Sequence, residues 1–223
     1  MPPQAPVATR VVVRPLATPL PLGFLALAMS TVAFSALQLE WIPMSQWHVA
    51  GLTAVAATVP LQLLASVYGF LTRDPVAATG MGVLAGTWAV AGLTTLTTPE
   101  GQSSPGLGVV FLTGGVAMLV PALAAAPIKI APAAVMGTAA LRFAVTGIYE
   151  LTGSDAWKAA AGWIGLLLAL VALYAALALE LEGVHERTAL PVGRRGSARS
   201  AMAGEGSFDP VDLATEAGVR PQL

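Results

Sequence analysis

The chain has 223 residues, 56% of them hydrophobic and only 10% charged, with a mean hydropathy of +0.74, whereas a soluble domain devotes about a quarter of its residues to charge to keep a wet surface. Eleven Lys and Arg against 12 Asp and Glu leave a net charge of −1, so neither a nucleic-acid partner nor a solvating acidic tail is indicated. Cysteine is absent, which excludes disulfide frameworks, thiol nucleophiles, Cys-ligated zinc and iron–sulfur clusters.

A bilayer core calls for about 20 apolar residues per helix, and six charge-poor intervals of that order follow one another. They run approximately Pro21–Leu39, His48–Leu71, Val76–Leu96, Gly106–Ala126, Ala131–Leu151 and Ala156–Leu179. The first is read as a retained span rather than a cleaved signal, because no small-residue cleavage site leads into a soluble domain. Backbone polar groups in lipid must be satisfied within the segment, so each span is expected to be a helix. Asp74 before Pro75, and Ser154-Asp155 before Ala156, suit N-cap positions. The fold class expected is therefore an all-α membrane protein, a six-transmembrane-helix bundle with both termini cytoplasmic. Residues 1–19 form a cytoplasmic N-terminal segment and 20–182 the membrane domain. Residues 183–223 are a cytoplasmic tail, rich in Gly, Ser, Arg and Glu and expected to be largely disordered.

The orientation rests on the basic residues. With the N-terminus inside, Arg10, Arg14, Arg73, Lys129, Arg187, Arg194, Arg195 and Arg199 fall on the cytoplasmic side, against Lys158 on the other.

Arg142 lies close to the middle of the fifth span, where an ionisable group costs at least a few kcal/mol unless paired or solvated. It is expected to face the bundle interior, either as a fixed charge that draws a carboxylate into a pathway or as a brace bonded to carbonyls or to Glu150. Glu150 is eight residues on, about 12 Å along the helix and about 80° around it, so direct pairing needs both side chains stretched. Gly82 and Gly86 make a GxxxG in the third span, preceded by Ala78, and Ala161 with Gly165 repeats the spacing in the sixth; both let backbones approach, within a subunit or between subunits. Pro60 and Pro121 interrupt the second and fourth spans. Ser30, Thr31, Gln62, Ser66 and Tyr68 are expected to bond between helices rather than to bind substrate. Trp41, Trp47, Trp88, Trp157 and Trp163 read mostly as interfacial anchors. The two histidines, His48 and His185, have no HExxH or triad context, so no enzyme activity, catalytic residue, metal or cofactor is expected.

Three stretches together carry a family resemblance. Pro19-Leu20-Pro21-Leu22-Gly23-Phe24 resembles the N-P-x-P-L-G-L signature that opens the first helix of the acetate uptake transporter family, the YaaH-type succinate–acetate permeases, with Met29-Ser30-Thr31 standing for its Met-Thr-Thr. Asp74-Pro75-Val76-Ala77-Ala78-Thr79, leading to Ala85-Gly86-Thr87-Trp88, is similar to N-T-F-G-x-T…G-x-F-W. Leu151-Thr152-Gly153-Ser154, then Gly162-Trp163-Ile164-Gly165 and Tyr174, is similar to F-T-G-S, G-x-x-G and A-x-Y. The resemblance spans roughly Pro19 to Leu181, with Pro19, Pro21, Leu22 and Gly23 as its signature residues.

What it implies is a six-helix protomer with a pore inside each subunit, assembled as a homo-hexamer, that passes acetate and related monocarboxylates; separately, the absence of a lipoprotein cysteine and the Ala/Gly-rich composition suit a bacterial inner membrane. Leu27 and Leu84 stand at the family's constriction, in place of a phenylalanine and a tyrosine. Thr18 replaces the signature asparagine, Gly69 a usual glutamate and Asp74 an asparagine. The expected partners are small carboxylate anions, membrane lipids and further copies of the chain. The function expected is a transporter or channel for small monocarboxylates, with Leu27, Thr31, Leu84 and Arg142 along the path. A bare carboxylate cannot cross hydrocarbon, so passage needs a polar lining, proton cotransport or both. The alternative is a non-transporting membrane sensor or scaffold acting through the tail.

Overall fold

The computed structural model describes residues 16–185 and 187–196. Six helical spans occupy almost all of this: α1 Leu20–Gln38, α2 Met44–Leu71, α3 Pro75–Thr97, α4 Pro105–Ala125, α5 Ile130–Thr152 and α6 Asp155–His185. Each is long and apolar enough to cross a membrane, and the expected intervals agree with them except at α6, which continues to His185. Every helix packs against its successor, and α6 returns to α1. The spans therefore close into a ring in chain order, with neighbours antiparallel because the connections are short. One end of the ring carries the start of α1, the end of α6 and the turns at 72–74 and 126–129; it is called the terminal end. The distal end carries the connections 39–43, 98–104 and 153–154.

Local chemistry explains where the helices begin. Asp74 caps α3 by accepting the Ala77 N–H at 2.9 Å, and Ser104 caps α4 by accepting that of Leu107 at 3.4 Å. Pro19 and Pro21 open α1, where a missing N–H costs no helical bond. Gly153 ends α5 with φ +65, a left-handed conformation that glycine adopts freely.

Within α2, the stretch Thr53–Thr58 is a π-turn immediately ahead of Pro60. Proline has no N–H and its ring crowds the carbonyl four residues back; the wider turn accommodates both at the cost of one irregular loop of helix. The same turn carries Thr58, whose hydroxyl donates to the Ala26 carbonyl of α1 at 2.8 Å and lies 2.7 Å from the Ser30 hydroxyl. Ser30 thus bonds between helices as expected, and so does Ser66, donating to the Ala78 carbonyl at 2.6 Å. Tyr68 instead faces outward.

The closest backbone approaches are not at the GxxxG. A side chain on Gly69 would strike the Ala78 backbone, so α2 and α3 touch there through the glycine alone. Gly108 of α4 and Gly147 of α5 face each other so closely that an added Cβ on either would lie 2.9 or 2.8 Å from the other's carbonyl oxygen. Gly82 borders Ser66, while Gly86 has nothing within 4 Å of its Cβ position and opens onto an apolar groove between α3 and α4.

Beyond α6 the chain turns back. The Ile130 and Ala131 N–H groups donate to the Gly193 and Val192 carbonyls, both at 3.1 Å, and the Arg195 N–H donates to that of Ile128 at 2.9 Å. Val192 is buried, Tyr174 donates its hydroxyl proton to the Pro191 carbonyl at 2.8 Å, and Arg194 pairs with Glu182. This departs from the expectation for the start of the tail: apolar Val192 and backbone pairing hold residues 187–196 against the bundle. The part of that expectation concerning residues 197–223, and most of the N-terminal segment, lies outside the described residues.

Candidate functional site

Two recesses enter the ring from opposite ends. The terminal-end recess, about 230 Å³, lies among Leu20, Val76, Ala125 and Pro132, with Arg73, Asp74 and Lys129 at its edge. Burial, and secondarily the Arg194 charge, hold the Lys129 ammonium below its ordinary pKa, with Asp74 opposing. The distal recess has about 30 Å³ open to water, room for roughly two molecules. Its walls include Gln38, Thr146, Glu150 and Arg142, and its floor is aromatic. There Phe34 and Trp88 lie 5.3 Å apart between ring centres, backed by Phe143, which lies 6.3 Å from Trp88 and 5.4 Å from Phe111. At its rim Lys158 donates to Glu40 at 2.8 Å, and that bond holds the Glu40 carboxyl below the usual carboxylate range.

Between the recesses stands a seal of fully buried side chains: Phe24, Leu27, Met81, Leu84, Met118 and Met136. The signature glycine has its reason here, because a Cβ on Gly23 would collide with the Met81 sulfur. Pro19, Pro21 and Leu22 start the helix that presents Leu27. Leu27 and Leu84 both have 0% exposure and belong to one buried cluster.

A thread of polar atoms accompanies this seal. Among the described residues, Thr31 Oγ1, Ser35 Oγ, both amide atoms of Gln62, Trp88 Nε1 and Arg142 Nη1 are buried without a hydrogen-bond partner. Such atoms are rare because each costs about 1–3 kcal/mol. Leu27, Thr31, Ser35 and Gln38 follow at spacings of four, four and three and so share one stripe of α1. Gln62 lies one turn beyond Thr58, near the level of Leu22 and Phe24 as judged from the Thr58–Ala26 bond.

Arg142 does face the interior, 2% exposed, and its partner is a side-chain amide carbonyl on another helix rather than Glu150. Its Nη2 donates to Gln38 Oε1 at 2.6 Å, while Glu150 accepts the Ser104 N–H at 2.7 Å. The long reach along α5 that made an Arg142–Glu150 pair awkward explains why each found a nearer group. Trp88 overturns the interfacial reading for that residue, since it is buried in the aromatic floor. Trp41 and Trp163 do stand exposed at the distal end, edge to face at 5.8 Å. Trp47 donates to the Thr95 carbonyl at 2.6 Å. His48 is exposed at the start of α2, and His185 lies at the end of α6 with Nδ1 2.9 Å from the Leu181 carbonyl. Sequence reasoning missed Ser35, Gln38 and the aromatic floor; their signal was the spacing of Thr31, Ser35 and Gln38 on the face that carries Leu27.

No curated protein matches the sequence. A solved structure of the bacterial acetate channel SatP aligns with a TM-score of 0.70 and 24% identity, covering 80% of this chain and 100% of that one. At that identity the likeness speaks to the fold, a multi-pass integral membrane bundle. The model of the GPR1/FUN34/yaaH family matches residues 2–190, and the chain belongs to that family.

Proposed function

We propose that this protein passes small monocarboxylates such as acetate through the interior of its six-helix ring. The observation that carries the reading is the thread of buried, partnerless polar atoms between two opposed recesses. A protein that only packed its helices would satisfy those atoms or replace them by apolar ones; a hydrophilic solute in transit compensates them in turn. The family, and the fold shared with a protein described as an acetate channel, support the choice of solute. In this reading Arg142 attracts the anion into the distal recess, Thr31 hands it inward, and Leu27 with Leu84 forms the apolar throat. The bias of basic residues toward the terminal end supports a cytoplasmic side for that end, and the membrane of this reading is a bacterial inner membrane. Several copies of the chain assemble, six by the resemblance.

The test is uptake of radiolabelled acetate into proteoliposomes with an imposed pH gradient, against empty vesicles and with competing small acids. Saturable, competed uptake supports the reading. Its absence with folded, inserted protein would turn attention to a sensor or scaffold role.

The throat has its own expected result. Leu84→Ala removes part of the seal and is expected to speed acetate uptake several-fold and to admit longer acids such as butyrate. The new cavity should cost about 2–5 kcal/mol of stability. Uptake that keeps its rate and size limit in the folded variant would take Leu84 off the path.

A further inference from the structure

The strongest unassigned group of atoms lies where α1, α5 and α6 meet. Arg142 is buried, with Nη2 on Gln38 and Nη1 partnerless among the described residues. Gln38 is neutral, so it satisfies a hydrogen bond without balancing the charge. The acids that share the neighbourhood are engaged elsewhere, Glu150 with the Ser104 N–H and Glu40 with Lys158. A buried guanidinium without a counter-charge is among the least favourable arrangements in a membrane interior. Ser35 stands beside it with 0% exposure and a partnerless hydroxyl.

Gly165 brings the two together. A Cβ at that position would collide with Ser35 Oγ and lie 2.9 Å from Arg142 Nε and 3.1 Å from its Cζ. The serine hydroxyl and the guanidinium thus pack side by side against Gly165, in space that a side chain there would occupy. The partnerless Nη1 donor and a rotatable hydroxyl suit the two oxygens of one carboxylate, which also supplies the missing negative charge. Arg142 and Gln38 line the distal recess, so the guanidinium is reached from that side.

We infer that Arg142 Nη1 and Ser35 Oγ form a desolvated binding site for a single carboxylate group at the floor of the distal recess. Gln38 is a positioning residue that holds the guanidinium, and Gly165 is the residue whose small size lets the Ser35 hydroxyl and the guanidinium stand together. The inference deepens the transport reading by naming the place where the anion pauses, and it predicts selection by charge: acetate enters and its neutral isostere acetamide does not.

The experiment measures the thermal unfolding midpoint of the full-length protein in detergent against sodium acetate, with sodium chloride at equal ionic strength and acetamide as comparators. The expected result is a saturable rise with acetate alone. Ser35→Ala should raise the half-saturating acetate concentration about tenfold, the worth of one hydrogen bond to a charged group. Gln38→Glu is the sharper variant. It keeps the bond to Arg142 and strengthens it, so a purely structural contact would survive, yet the built-in carboxylate should abolish the response to acetate. A wild-type protein indifferent to acetate, or wild-type responses in both folded variants, would overturn the site. Uptake by the wild type is scored separately: transport without the acetate-specific shift rejects the site and keeps the channel, and the shift without transport keeps the site and rejects the channel.

Discussion

Arg142→Gln is expected to slow acetate uptake at least tenfold while leaving the protein about as stable as before. The two halves of that result come from the same fact. A guanidinium in the interior of a span costs about 2.5–3.5 kcal/mol on insertion scales, and its bond to Gln38 returns about 1.5–3 kcal/mol. A glutamine removes both, so folding and assembly should change little. The anion, however, loses its counter-charge, and tenfold in rate corresponds to only about 1.4 kcal/mol of lost interaction. Arg142→Lys should fall between the two, keeping the charge and losing the planar fork. The measurement pairs uptake in proteoliposomes with a thermal melt in detergent. Unaltered uptake in a folded Arg142→Gln variant would remove Arg142 from the pathway, and a collapse of stability would return it to the role of a brace.

A large structural effect is expected at Gly147. Its Cβ position lies 2.8 Å from the Gly108 carbonyl oxygen and 3.0 Å from the Leu112 nitrogen. These are backbone atoms of α4, which cannot rotate aside as a side chain does. Overpacking a core costs about 1–3 kcal/mol when neighbours can yield; against rigid backbone, Gly147→Val should exceed that range and leave little folded protein by size-exclusion chromatography. Gly86→Ala is the contrast. With nothing within 4 Å of that Cβ position, alanine gains about 0.8–1 kcal/mol of helix propensity and meets no neighbour within the subunit. A melt of Gly86→Ala at or above the wild-type midpoint, beside the loss of Gly147→Val, would show that α4 and α5 hold the ring together. Equal tolerance at both positions would contradict the packing described.

These two glycines show where the chain could and could not be read directly. Gly82 and Gly86 carry the spacing that signals close packing, yet Gly86 faces outward. Gly108 and Gly147 carry no motif and bring two backbones into close contact. Motif spacing locates small residues on one helix, whereas contact requires that a second helix bring its own small residue to the same height and face. The same holds for Trp88, expected at a membrane surface and found in the aromatic floor, and for Arg142, whose partner stands 104 positions away on α1.

By itself the sequence determined the number and order of the spans, and the length of all but the last, because lipid forces each to satisfy its own backbone and about 20 apolar residues are needed to cross. It also determined several starts, through Asp74, Pro19 and Pro21, and it carried the family resemblance in three short stretches. Tertiary structure alone decided which face of each helix turns inward. An amphipathic helix announces its buried side by periodicity, but these helices are apolar on the lipid side and in the core alike, so hydropathy has no stripe to follow. Rotation about each axis is set instead by the fit of side chains across the ring, and that fit is what brings Ser35, Gln38, Arg142 and Gly165 to one place.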